Sequence, residues 1–410
     1  MKTTARSSAL IALLLCAAAF FSVRAEAALH PLKVFILVGQ SNMQGHADVK
    51  TFDYIGKDPK TAPLLREMLG PNGKPKVCEH VWISYISPDY GAKEKNGKLT
   101  TGFGANGECI GPEFTFGIYI EKLLGEPVLI IKTAWGGKSL NTDFRPPGAG
   151  PYEFNEAQLE KFKQKGKDIA AMKAEKEKAT GVYYRLMIEH VRKVLSDPKK
   201  FCPDYDRARG FELAGFVWFQ GWNDLVDGDT YPQQDQPGGY DAYGKVLAQL
   251  IRDVRRDLKA PRMPFLIGVM GVGGVKEGAK PQQSNFRNAQ LAPILLPEFK
   301  GNVGAVQTAP FWADELAAID EKRERITQME YLLRVKDMNA PNKDGTMNEA
   351  QQKEYLKKFE ADLISPADAA LWKSSASNFG FHYLGCAKTF ALMGKAFAEA
   401  TLMMMKEQKY

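Results

Sequence analysis

Val34-Phe35-Ile36-Leu37-Val38 is an unbroken apolar run that ends at Gly39 and passes straight into Gln40-Ser41-Asn42-Met43. Its length and β-branched content read as a strand buried on both faces, and the glycine ends it where the backbone turns. Similar runs recur at Val81–Ile86, Val128–Ile131, Phe216–Phe219, Phe265–Val269 and Val303–Gln307. Between several of them the apolar positions take helical spacing, as in Tyr183, Leu186, Met187, His190, Val191 and Val194. Strands alternating with helices predict an α/β fold, a three-layer α/β/α sandwich around a mostly parallel central sheet. In such sheets the ligand crevice lies beyond the carboxyl ends of the strands.

Three of these runs lead directly into residues that carry chemistry. Ser41 would open a helix, whose unpaired N–H groups and positive dipole end favour an oxyanion on a substrate carbonyl. The same serine also reads as a plain helix cap. Val128–Ile131 leads into Lys132-Thr133-Ala134-Trp135-Gly136-Gly137, and the paired glycines either present N–H groups to a ligand or form an ordinary turn. Phe216–Phe219 leads into Gln220-Gly221-Trp222-Asn223-Asp224, where Asn-Asp is also common turn chemistry.

A serine nucleophile needs a base, because its hydroxyl is scarcely ionised at neutral pH. The chain has five histidines. His30 lies near the start of the processed chain, His80 precedes a strand and His190 falls on an amphipathic helix face. His46, five residues past Ser41 on the expected helix, should be carried away from the hydroxyl. His382 is left, after a glycine-containing loop and before a helix predicted from Ala387 to Met405.

Ser41, the Gly136-Gly137 pair, Asn223 and His382, in this order, resemble the four blocks of the SGNH hydrolases. Gly221-Trp222-Asn223-Asp224 fits the GxND block, and Gly39-Gln40-Ser41-Asn42-Met43 resembles the sialate O-acetylesterase-like branch grouped with family 6 carbohydrate esterases. Gly111-Pro112-Glu113 and the stretch Trp135–Leu140 extend the resemblance over most of the processed chain. It implies an SGNH, flavodoxin-like fold and a serine esterase that removes O-acetyl groups from sialic acid or acetylated polysaccharide through an acyl-enzyme on Ser41. His382 would be the base. The Ser41 N–H, an N–H of Gly136 or Gly137, and the Asn223 amide would form the oxyanion hole, with Gln220 as a rival to Asn223. Gln40 is placed at the substrate, and Trp135 and Trp222 read as sugar-ring walls or as core aromatics. The implied partner is an acetylated carbohydrate, with no cofactor and no metal.

One position departs from the family pattern. An aspartate usually stands three residues before the histidine, and here that residue is Phe379. Asn378, Asp314 or a backbone carbonyl are the alternatives for orienting the imidazole. The departure keeps a catalytically weak glycan-binding protein in play. An SGNH lipase or thioesterase is a further alternative, against which stand Lys138, Asp143 and Arg145 in the expected loops.

Residues 1–27 read as a cleavable secretory signal: Lys2 and Arg6, an apolar core, then Ala25-Glu26-Ala27. This predicts a secreted or periplasmic protein without a transmembrane segment, since no later run approaches the ~18–20 apolar residues a span needs. The net charge of +7 falls by two with that leader, and the cations are scattered through Lys-rich helices, so nucleic acid is not an expected partner. Cys78, Cys109, Cys202 and Cys386 remain and would allow two disulfides in an oxidising compartment. No Cys–His spacing resembles a zinc site. Residues 28–410 are expected to form one domain, its extra length lying in charged helical insertions at about 152–180 and 315–370, the second placed to wall the site.

Overall fold

A computed structural model describes residues 30–86, 94–275 and 280–407, so the leader read at 1–27 lies outside the described residues. The chain forms β1 (Leu32–Gly39), β2 (Ala47–Asp48), β3 (Val81–Ile86), β4 (Glu94–Lys98), β5 (Cys109–Ile110), β6 (Val128–Ala134), β7 (Phe211–Phe219), β8 (Phe265–Val269) and β9 (Val303–Gln307). Seven of these make one sheet in the order β4-β3-β6-β1-β7-β8-β9, while β2 and β5 form a small ribbon. All pairings in the large sheet are parallel except that of edge strand β4 with β3.

Helices cover both faces, as the alternation of side chains along β7 shows. Phe219 packs on Phe397 of the C-terminal helix Ala387–Glu407, with ring centroids 5.5 Å apart. Trp218 turns to the opposite face and meets Phe144 at 5.2 Å. Phe144 in turn packs on Tyr183 of the helix Val182–Ser196. The expected α/β/α sandwich is the fold observed, and every residue of β1 is buried at its centre. β4 and the β2–β5 ribbon were not legible beforehand, because Glu94-Lys95-Asn96-Gly97-Lys98 has no apolar alternation and the ribbon is two residues long on each side.

The central register sets the site. Gly39 pairs with Ala134 on one side and with Phe219 on the other, so the three strands end level. β1 is also where the strand order reverses, which is where a doubly wound sheet opens a crevice. Gly39 must be glycine here, because a Cβ would lie 2.0 Å from the Phe219 carbonyl oxygen.

Both charged stretches are helical, as Glu156–Gln164 and Ile169–Ala179 in the first and Asp314–Val335, Glu349–Leu363 and Pro366–Ser375 in the second. The cysteines correct the disulfide expectation: Cys78, Cys109, Cys202 and Cys386 are all free and buried. They act as small apolar side chains, and burial pushes the Cys78 and Cys202 thiols up to about 12. No helix among the described residues is long and apolar enough to cross a membrane.

Candidate active site

Ser41 opens a helix of a single turn, Ser41–Gln44, with its side chain almost buried. Gly45 then takes φ +92° and its N–H donates to the Ser41 carbonyl at 2.8 Å, which turns the chain back after one turn. The helix on which the expectation for His46 rested therefore does not reach it. The His46 ring stacks on His382 with centroids 3.9 Å apart.

A buried ion pair supports the turn from behind. Lys132 Nζ donates to the Gln44 carbonyl at 2.8 Å, the Phe103 carbonyl at 2.7 Å and Glu113 Oε2 at 2.7 Å. Glu113 Oε1 accepts the Gly111 N–H at 2.9 Å. Burial pushes the carboxyl above and the ammonium below their ordinary ranges. The several hydrogen bonds on each partner are what make such a pair tolerable.

The Gly136-Gly137 loop lies beside the serine. A Cβ on Gly136 would sit 4.0 Å from Ser41 Cβ, and Gly137 has φ +71°. Asp224 holds this loop to the end of β7 by accepting the N–H of Leu140 at 2.7 Å and of Asn141 at 3.1 Å. Its burial pushes that carboxyl up to about 6.

Gln40 and Gln220 are linked to each other and to Asn223 by hydrogen bonds. Gln40 Oε1 accepts from Gln220 Nε2 and the Gly221 N–H, each at 3.1 Å, and Gln40 Nε2 donates to Asn223 Oδ1 at 2.9 Å. Gln220 Nε2 also faces the Lys138 carbonyl at 3.1 Å and Asp224 Oδ2 at 2.6 Å. Both glutamines are buried, and the Gln220 amide nitrogen is engaged wholly within the protein. Asn223 is the half-exposed amide, and with its oxygen held by Gln40 its Nδ2 is the end that remains to donate. Trp135 is buried against Phe144 and Tyr183. Trp222 lies at the surface of the crevice, packed on Phe381 at 5.8 Å.

His382 comes from a strained turn. Tyr383 and Leu384, which follow it, take φ +51° and +59°, a left-handed conformation costing about 1–3 kcal/mol per non-glycine residue. Burial of both side chains holds the strain, together with the Tyr383 hydroxyl, which accepts the Gly271 N–H at 2.7 Å and meets the Thr308 hydroxyl at 2.7 Å. Asn42 Nδ2 ties the turn to the serine helix through the Phe381 carbonyl at 3.1 Å. His382 Nδ1 lies 2.9 Å from Asn378 Oδ1. Asp314 opens the helix Asp314–Val335, and its carboxylate lies beside Gly274. Burial first, then His46, pushes the His382 imidazole down to about 3.

The family model described as carbohydrate esterase, sialic acid-specific acetylesterase matches residues 31–310, most of the chain. The chain belongs to that family of carbohydrate esterases. It is therefore a hydrolase of the ester-cleaving class. Among solved structures, it is similar to a protein from Arabidopsis thaliana at 19% identity and TM-score 0.36, over 68% of this chain and 86% of that one. It is also similar to a carbohydrate acetylesterase from Xanthomonas citri at 16% identity and TM-score 0.38, over 67% of this chain and 49% of that one. No curated protein matches this esterase by sequence. The contact of His46 with His382 was missed for want of one signal, the Gly45 that ends the serine's helix after a single turn.

Proposed function

We propose that this esterase removes O-acetyl groups from carbohydrate, with Ser41 as the nucleophile and His382 as its base. The Asn378 amide oxygen accepts the hydrogen on His382 Nδ1, which leaves Nε2 with the lone pair. Ser41 Oγ attacks the acetyl carbonyl carbon while Nε2 takes the hydroxyl proton. The oxyanion is held by the N–H groups of Ser41 and of Gly136 or Gly137, with Asn223 Nδ2. Collapse breaks the bond to the sugar oxygen, which leaves as an alcohol with the proton from His382. Water, deprotonated by the same imidazole, then releases acetate and restores the serine.

The observation that carries this reading is the level ending of β1, β6 and β7 at Gly39, Ala134 and Phe219, which sends Ser41, Gly136 and Asn223 out of one edge. The test compares the chain with its Ser41→Ala form on acetylated sialic acid, acetylated xylan oligomers and an aryl acetate. Acetate release should vanish in the variant, and equal release by both forms would sink the serine mechanism. Activity confined to long-chain aryl esters would make it a lipase. Glycan binding without acetate release would favour the binding-protein reading, which the amide in place of a carboxylate at His382 supports.

The proposal includes export by the leader at 1–27, with residues 28–410 forming one catalytic unit. Amino-terminal sequencing of protein from the extracellular or periplasmic fraction should begin near Ala28.

A further inference from the structure

The family match stops at residue 310, yet a groove beside His382 is walled largely by later chain. It has a volume of about 1300 Å³ and runs between the helices Asp314–Val335 and Pro366–Ser375 and the loop that carries Asn378. Two large aromatics stand open in it, Phe379 at 69% exposure and Tyr331 at 53%. Exposed aromatic surface gathered in one concavity marks a binding groove. A row of rings leads from it into the site: Phe379 stacks on Phe381 at 5.3 Å, and Phe381 meets Trp222 at 5.8 Å and His382 at 4.4 Å.

The polar lining decides what kind of chain fits. Lys50, Arg323 and Lys373 are matched by Asp320, Glu324 and Glu360, so the groove has no excess of either sign to hold a polyanion. Arg323 also lies over the Trp372 ring at 5.2 Å. A lipid acyl chain would leave these charges desolvated and unanswered. A pyranose ring has a flat C–H face for an aromatic and an equatorial rim of hydroxyls for charged side chains, and β-linked chains present such faces in succession.

We propose that this groove is a glycan subsite, holding the sugar units that flank the acetylated residue of a neutral, β-linked oligosaccharide. This rests on the acetylesterase reading above and extends it from a single sugar to a chain. The helices Asp314–Val335 and Pro366–Ser375 then set chain-length preference, and the row Phe379-Phe381-Trp222 carries the chain to Ser41.

Two measurements test it. In Tyr331→Ala and Phe379→Ala, the ratio of kcat/KM on acetylated xylan oligomers to kcat/KM on an aryl acetate should fall by about three- to tenfold, the size of one aromatic contact. Calorimetric titration with deacetylated xylohexaose should show binding to the unaltered chain, weakened by a similar factor in Tyr331→Ala. An unchanged ratio in both variants, or xylohexaose binding that is absent or insensitive to Tyr331, overturns the subsite and leaves the esterase reading standing. Loss of the esterase reading looks different: no acetate is released from any ester, while Tyr331-dependent xylohexaose binding persists and supports the groove.

Discussion

The imidazoles of His46 and His382 lie face to face, with ring centroids 3.9 Å apart and planes within 4°. The His382 imidazole is pushed down to about 3, first by burial and then by the electrostatic effect of His46 beside it. The group is neutral in the folded chain, whereas its unfolded counterpart takes up a proton below about 6.5. Its contribution to stability is therefore complete above pH ~6.5 and is lost as pH falls toward ~3. With His382 as the base, the plateau of kcat/KM against pH should extend well below 6.5. His46→Ala, which admits water and removes the neighbouring ring, should move the acid limb upward toward 6.5. A limb at 6.5 in both forms would contradict the stacking effect.

Asn378 meets His382 Nδ1 at 2.9 Å with a neutral oxygen where a carboxylate would stabilise the imidazolium. Asn378→Asp keeps an acceptor there and adds the charge, which should raise the His382 value by about 1–3 pH units. A rise in kcat of at least about tenfold is expected at neutral pH, since the reverse exchange in a serine protease costs far more. Steady-state kinetics of Asn378→Asp and Asn378→Ala, expected to move in opposite directions, check this.

Asn223 and Gln220 both follow β7 but should fail differently. Asn223→Ala should cost about 2.7–4 kcal/mol of transition-state stabilisation, read as a drop in kcat with KM little changed. Gln220→Ala empties a buried network, with Tyr243 Oη donating to Gln220 Oε1 at 3.0 Å, so it should lower the melting temperature. A kcat defect without any loss of stability in Gln220→Ala would reverse the assignment.

Lys132→Met removes one half of a fully buried pair and strands the Glu113 carboxylate. Denaturant unfolding should show a loss of about 3–5 kcal/mol, and the double variant Lys132→Met/Glu113→Leu should recover most of it. Both forms lose the bond to the Gln44 carbonyl, so esterase activity should stay low even where stability returns.

The sequence alone determined the layered fold, because a buried parallel sheet needs continuous apolar runs and these stand out in any chain. It also brought Ser41, Gly136-Gly137, Asn223 and His382 together, through their order and their resemblance to the four SGNH blocks. Only the tertiary structure showed how the amides at the strand ends are engaged. Gln40, Gln220 and Asn223 carry the same amide, and what distinguishes them is which donors the buried network consumes. His46 was decided the same way: one backbone angle at Gly45 ends its helix, and the strained turn at Tyr383 and Leu384 brings His382 against it from the far end of the chain. Local periodicity reports the burial of a strand or a helix face. Contacts between residues more than 300 positions apart depend on how the layers close, which no local pattern records.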